Sequence, residues 1–306
     1  MNTIQYLLDK KVERCCPPYW LPDNIQYEVV MGSVAYGVST DRSDIDLYGF
    51  CIPPKEIVFP HLAGHIDGFG RQKRRFEQWQ QHHLELLGTK HGIQNYDITI
   101  YNIVKYFSLV MENNPNMVDS LFVPQECVLT CTQLAQHVRE HRRMFLHKGC
   151  WHKFKGYAFS QVKKMKSQTR EGKRKELVEE FGYDVKFAYH VIRLIDEVEQ
   201  ILTTGDLNLQ RAKEHMKAVR RGEWTVEQVE KHFADAEERL EKVYQESDLQ
   251  YKPDEAKVKN LLLECLEMHY GSITVAEVVV DGVEEDAIRQ IANVIRKVQS
   301  KTKKSY

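Results

Sequence analysis

Two carboxylates spaced two residues apart inside an apolar strand pattern are costly to place, and this chain puts such a pair shortly after a glycine–serine break. The stretch reads Met31-Gly32-Ser33-Val34-Ala35-Tyr36-Gly37-Val38-Ser39-Thr40-Asp41-Arg42-Ser43-Asp44-Ile45-Asp46-Leu47-Tyr48-Gly49. The run Tyr27-Glu28-Val29-Val30 ahead of it predicts a strand beginning near Ile25. Gly32-Ser33 breaks that strand, the next residues read as one helical turn, and Gly37 ends it. A second strand follows through Leu47–Ile52. Residues two apart on a strand share a face, so Asp44 and Asp46 project together while Ile45 and Leu47 turn to the core. Like charges that close repel unless a cation lies between them. Hard oxygens at this spacing suit Mg²⁺, which completes its shell with waters and phosphate oxygens. Gly32 lets backbone come close to an anion, and Ser33 adds a hydroxyl. A phosphate cradle beside metal-binding acids points to phosphoryl or nucleotidyl transfer.

The wording of this unit, Gly-Ser-Val-Ala-Tyr-Gly then Ser-Asp-Ile-Asp-Leu-Tyr-Gly, resembles the nucleotidyltransferase superfamily typified by DNA polymerase beta. It is most similar to a branch of bacterial and phage proteins, the RNA-repair-pathway DNA polymerase beta family. Three further stretches carry the same resemblance. Tyr96-Asp97-Ile98 matches the third carboxylate that superfamily members place on a neighbouring strand. Asn114-Pro115-Asn116, with Asp119 three residues on, is the second. The third is Gly182-Tyr183-Asp184-Val185-Lys186-Phe187-Ala188-Tyr189-His190-Val191-Ile192-Arg193-Leu194. Together they span about residues 25–225, and the last 80 or so residues add nothing.

The resemblance implies an α+β fold: a polymerase-beta-like mixed sheet with helices over residues 1–125, then an all-helical domain over 126–306 that binds substrate and nucleotide. It implies attack by an acceptor hydroxyl on the α-phosphorus of an NTP, ATP first among them, with release of pyrophosphate. Asp44 and Asp46 would hold two Mg²⁺ ions, with Mn²⁺ able to replace them, and Asp97 would hold the catalytic one and draw the proton. Gly32 and Ser33 would meet the β- and γ-phosphates. The family name implies an RNA end as acceptor, in repair or tailing. AMP transfer to a protein or small molecule stays open, as does a silent nucleotide- or RNA-binding module.

The residues themselves leave other choices open. Asp97 suits either a third strand or the first turn of the helix suggested by Ile100, Val104, Phe107 and Val110. From Cys131 onward, periods near 3.6 predict helices over 131–146, 150–168, 185–202, 208–219, 225–247, 255–269 and 283–300. The boundary falls near Val123-Pro124-Gln125. In the helix that Asp184 should cap, Val185, Ala188, Ile192 and Ile195 form the buried face. Lys186, His190 and Arg193 fall at i, i+4 and i+7 on another face, either holding a triphosphate or pairing with nearby glutamates. On the first reading, charge reversal at Arg193 abolishes transfer without unfolding the protein.

Net charge is −1, so no global basic field announces a polyanion. Residues 137–175, however, hold 13 Lys/Arg against Glu140 and Glu171, and this run is where an RNA acceptor would be met. Within it, Lys153, Tyr157, Ser160 and Lys164 share a helical face, with Lys163 adjacent, and are candidate substrate contacts. Cys127-x₃-Cys131 and His137-x₃-His141 are spaced too tightly for a zinc finger, whose loop runs about 12 residues. Seven scattered cysteines, no secretory leader and no apolar run near the ~20 residues of a membrane span predict a reduced, cytoplasmic protein.

Overall fold

The computed structural model describes residues 2–40, 43–59, 61, 64, 75–89, 92–166 and 173–271. The helix expected over 283–300 and the end of the chain lie outside the described residues. Met1–His269 form one compact unit and Tyr270–Tyr306 a second; the site lies in the first.

Five strands make one mixed sheet: β1 (Ile25–Val30), β2 (Ile45–Cys51), β3 (Gln78–Thr89), β4 (Gly92–Asn102) and β5 (Val128–Cys131), in the order β3-β4-β2-β1-β5. Only β2 and β4 run parallel; the other neighbours are antiparallel. β5 joins the sheet from just beyond the boundary expected at 125. β4 is longer than expected. It runs on to Asn102, whose side chain then accepts the Val104 N–H and starts α4 (Ile103–Met111). Ile100 is therefore a strand residue, and Asp97 sits in mid-strand rather than at a helix start.

Alternation sorts the two sheet faces. Leu47, Trp79, Ile98 and Ile100 point to one side and pack with Ile4 and Leu7 of α1 (Thr3–Asp9) and with Leu21. The other face carries Asp46, Tyr48 and Phe50 on β2 and Asp97, Thr99 and Tyr101 on β4. Its far end is closed by α4 and α5 (Pro115–Phe122): Phe50 is fully buried with its ring 4.9 Å from that of Tyr106. Its near end, at the acids, stays open.

After β5 the described residues outside loops are helical. α6 (Gln133–Glu140), α7 (Cys150–Met165), α8 (Lys173–Phe181), α9 (Val185–Thr204), α10 (Lys213–Arg220), α11 (Val226–Glu246) and α12 (Glu255–Tyr270) follow in turn. None of the described helices is long and apolar enough to cross a membrane. α9 is the centre of this half, packed by α7, α10 and α11. Asp184 caps it by accepting the Lys186 and Phe187 N–H groups, and Gly205 ends it at φ 62°. Val185, Ala188, Ile192 and Ile195 are buried as their spacing predicts.

A buried ionic cluster ties α9 to the sheet half. Arg193 donates to the Asp119 carboxylate of α5 and to the Tyr36 hydroxyl, and Glu197 lies 3.7 Å away. The Tyr36 hydroxyl in turn donates to Asp119 Oδ2 at 2.8 Å. All four are essentially inaccessible to solvent. One guanidinium faces two buried carboxyl groups, so its charge balances only one of them. Burial pushes Glu197 well above the ordinary glutamate range, and the attraction of Arg193 offsets this only in part. A carboxyl raised on folding takes up a proton as the chain folds, so its stability contribution falls as pH rises above its ordinary value of 4.5. Glu197→Gln should therefore match the wild type in thermal unfolding near pH 4.5 and exceed it increasingly up to pH 8. A difference independent of pH would mean that Glu197 is ionised in the folded protein.

Candidate active site

The acids meet where β1, β2 and β4 come side by side. Asp46 and Asp97 are register partners on neighbouring parallel strands, so their backbones are separated by about 4.8 Å. Asp44 lies just ahead of β2 and accepts from Asn95 Nδ2 at 3.2 Å. The Met31 N–H donates to the Asp46 carbonyl at 2.7 Å, which sets the Gly-Ser turn beside the acids. That turn is the short helix α2 (Gly32–Ala35); another single-turn helix, α3 (Lys55–Val58), follows β2. Gly32 has φ +64°, and a Cβ there would overlap the Asp46 carboxylate. Glycine is thus required both by conformation and by the close approach of the acid.

A cavity of about 430 Å³ opens over this floor. Gly32, Ser33, Asp44, Asp46, Asp97, Lys186 and His190 all line it. Seven of the candidate residues, from elements as distant as the turn after β1 and α9, are thus gathered at one place. Burial raises the Asp46 pKa; Lys186 opposes this, while Asp97 and Asp44 push it further up. The site is therefore a charged pocket that favours an added cation.

Arg193 is the exception. It belongs to the same helical stripe as Lys186 and His190, but α9 plunges inward along it. Lys186 is exposed, His190 half-buried and Arg193 buried against Asp119 and Tyr36. The periodicity gave the side of the helix correctly and carried no information on depth. Arg193 does not line the cavity, and its cation is already held by carboxylates.

Three residues at the site went unread: Arg220, His82 and His83. Arg220 at the end of α10 reaches the cavity, donates to the Val38 carbonyl and stacks its guanidinium 5.4 Å from the Tyr189 ring centre. With Lys186, it also lines a second cavity of about 430 Å³ together with Lys217 and Arg221. No sequence spacing links Arg220 to a motif some 180 residues earlier. His82 and His83 do not line the cavity but meet its Asp97. A register shift in β3 between Gln81 and Leu84 turns His83 to φ 54°. Its backbone N–H then donates to Asp97 Oδ1 at 2.8 Å, and His82 Nδ1 lies 3.5 Å from the same oxygen. The positive φ at a bulge left no mark in the sequence pattern.

Among the described residues of the basic run 137–175, several cations are paired with acids. Arg143 meets Asp206, Lys153 meets Glu112, Lys155 meets Glu237 and Lys166 meets Glu230. Lys163 lies over the Phe159 ring and Lys164 over the Phe187 ring. Of the candidates on α7, Tyr157 is close enough to help burial raise the pKa of Tyr48 and Tyr101. A further cavity of about 620 Å³, lined by Val104, Phe107, Met111, Val258 and Leu262, lies between α4 and α12 and contains none of the three acids.

The sequence profile of the RNA repair pathway DNA polymerase beta family matches residues 9–263. The chain belongs to this family. The match covers the sheet, the acid pocket and α9, so all the elements that form the site are family elements. No curated protein matches the chain. Among solved structures, a nucleotidyltransferase-like protein from Exiguobacterium sibiricum is similar over 80% of this chain and 74% of its own, at 11% identity and a TM-score of 0.26.

Among the described residues no three His, Cys, Asp or Glu side chains close round a metal position. Mg²⁺ does not ask for such a cage, because it keeps several waters and takes one or two carboxylates along with substrate phosphates. Asp46 and Asp97 on adjoining strands, with Asp44 at the rim, are a donor set of that kind.

Proposed function

We propose that the chain transfers a nucleoside monophosphate from an NTP, ATP first among them, to an acceptor hydroxyl, with an RNA end as the acceptor. The observation that carries this reading is the meeting of Asp46 and Asp97 in register beside a glycine that cannot be replaced without striking Asp46. Asp44, Asp46 and Asp97 would hold Mg²⁺, which supplies Lewis-acid polarisation of the phosphate and charge neutralisation when bound. Gly32 and Ser33 orient the β- and γ-phosphates at the turn after β1. Lys186 and Arg220 line the same cavity and offset phosphate charge from the helical side. His83, through its N–H, and His82 hold the Asp97 carboxylate in place. Arg193, Asp119 and Tyr36 fix the turn against α9, so that the anion-binding and helical sides keep their distance.

The test is a coupled pyrophosphate assay with purified protein, NTP labelled at the α-phosphorus, Mg²⁺ and a mixed pool of RNA and protein acceptors. Pyrophosphate release that requires both metal and acceptor is expected. Release of inorganic phosphate alone would instead indicate an NTPase. Recovery of label in the protein fraction would move the acceptor from RNA to protein.

A further inference from the structure

The acid-bearing sheet face does not end at the acids. One pleat along β2 from Asp46 stands Tyr48, and two pleats along β4 from Asp97 stands Tyr101. Their rings are 6.4 Å apart. Both are partly exposed, and a pleat repeat is only about 7 Å, so the rings lie within a nucleotide or two of the reaction centre. Tyr157 of α7, 39% exposed, lies within electrostatic reach of both rings. Beside Tyr101 and Thr99, β3 presents Gln78 and Gln80, both exposed, while the intervening Trp79 is buried on the opposite face. Gln78 donates to Gln80 at 3.2 Å, and Gln80 lies against His82. A row of amides flanked by tyrosines on an open sheet face, leading to a metal-type site, has few structural uses. Tyr101 also meets the Tyr106 ring of α4 at 6.5 Å, but the exposed amides beside it are used neither by that packing nor by the acid chemistry.

We infer that this face is the acceptor platform, and that it takes a single-stranded polynucleotide whose terminal bases lie between Tyr101 and Tyr157 and whose edges meet Gln78 and Gln80. The inference rests on the nucleotidyltransferase reading and names its acceptor class. Aromatic faces accept any base, and amides can serve as donor or acceptor, so the platform grips a strand end without demanding a sequence. It needs the bases unstacked, which excludes a blunt duplex. Because the nearby cations Lys105 and Lys153 are already paired with Glu77 and Glu112, most of the grip comes from stacking, and the salt dependence is shallow for a nucleic-acid binder.

The test uses the full chain and a fluorescent single-stranded oligoribonucleotide of eight residues, read by anisotropy, alongside the KM for the same oligonucleotide in NMP transfer. Tyr157→Ala, at an exposed position of α7, is expected to raise both about tenfold. Tyr157→Phe should restore them, and the affinity for a non-hydrolysable NTP should stay within about twofold in both variants. Tyr101→Leu gives a second, independent reading, with its thermal midpoint checked against wild type. A blunt duplex of the same sequence should compete poorly. Oligonucleotide binding unchanged in both Tyr157→Ala and Tyr101→Leu overturns the inference. So does wild-type protein that transfers NMP to a protein or small molecule while ignoring the oligonucleotide, and in that case the transferase reading survives. Absence of both NTP binding and transfer would remove that reading itself.

Discussion

Asp46→Asn is expected to reduce nucleotide transfer by about 10³-fold or more, the scale on which loss of a charge-stabilising group in an active site is felt. The same change should raise the thermal unfolding midpoint of the metal-free protein. The two effects have one cause. Burial and the neighbouring carboxylates of Asp97 and Asp44 disfavour the charge on Asp46, and only Lys186 and His82 work against them. A carboxyl whose folded pKa is raised costs stability as pH rises above its ordinary value of 3.8, and asparagine removes that cost. The gain should therefore shrink as pH approaches 4 and widen toward neutrality. Added Mg²⁺ with NTP should stabilise the wild type and leave the variant nearly unaffected. An inactive variant that is also less stable at pH 7 would mean that Asp46 is a packing residue.

Arg193→Met is expected to destabilise the fold by about 3–5 kcal/mol, because it leaves the buried Asp119 carboxylate without its cation. Asp119 and Glu197 both face this guanidinium, and the three elements that meet there are the turn after β1, α5 and α9. Burial already holds Asp119 up at about 6 with Arg193 present, so its loss pushes the carboxyl further in that direction. Adding Asp119→Asn should recover a large part of the loss, since the asparagine oxygen still accepts from Tyr36 and no longer carries a charge. Urea denaturation of the single and double variants measures both. If Arg193→Met instead keeps its midpoint and loses only NTP affinity, Arg193 reaches the cleft after all, as its helical stripe predicts.

Arg193 shows where sequence reasoning runs out. Period-3.6 spacing assigns a residue to a side of a helix, but a side can run from solvent at Lys186 to the interior at Arg193 when the helix enters the body at an angle. Depth is a property of the partners, here Asp119 and Tyr36, which are far away in sequence. The period-2 argument did better. Asp46 with Leu47, and Asp97 with Ile98, fall on opposite faces as their alternation requires, and the hydrophobic members meet in one core. The parallel pairing that sets Asp46 opposite Asp97 was not legible, because it depends on a chain crossover through β3. His82 and His83 were missed for a related reason: a register shift, not a motif, delivers them to Asp97. Tyr48 and Tyr101 could have been found, since each follows its acid on the same strand face at an even spacing.

The most direct measurement is a paired label experiment with wild-type protein, Mg²⁺ and a single-stranded RNA acceptor. NTP labelled at the α-phosphorus should leave its label on the acceptor, and NTP labelled at the γ-phosphorus should deliver its label to pyrophosphate, both lost together in Asp46→Asn and Asp97→Asn. Label from the γ-position on the acceptor, or α-label transferred undiminished by the two asparagine variants, would contradict the assignment of these acids to nucleotidyl transfer.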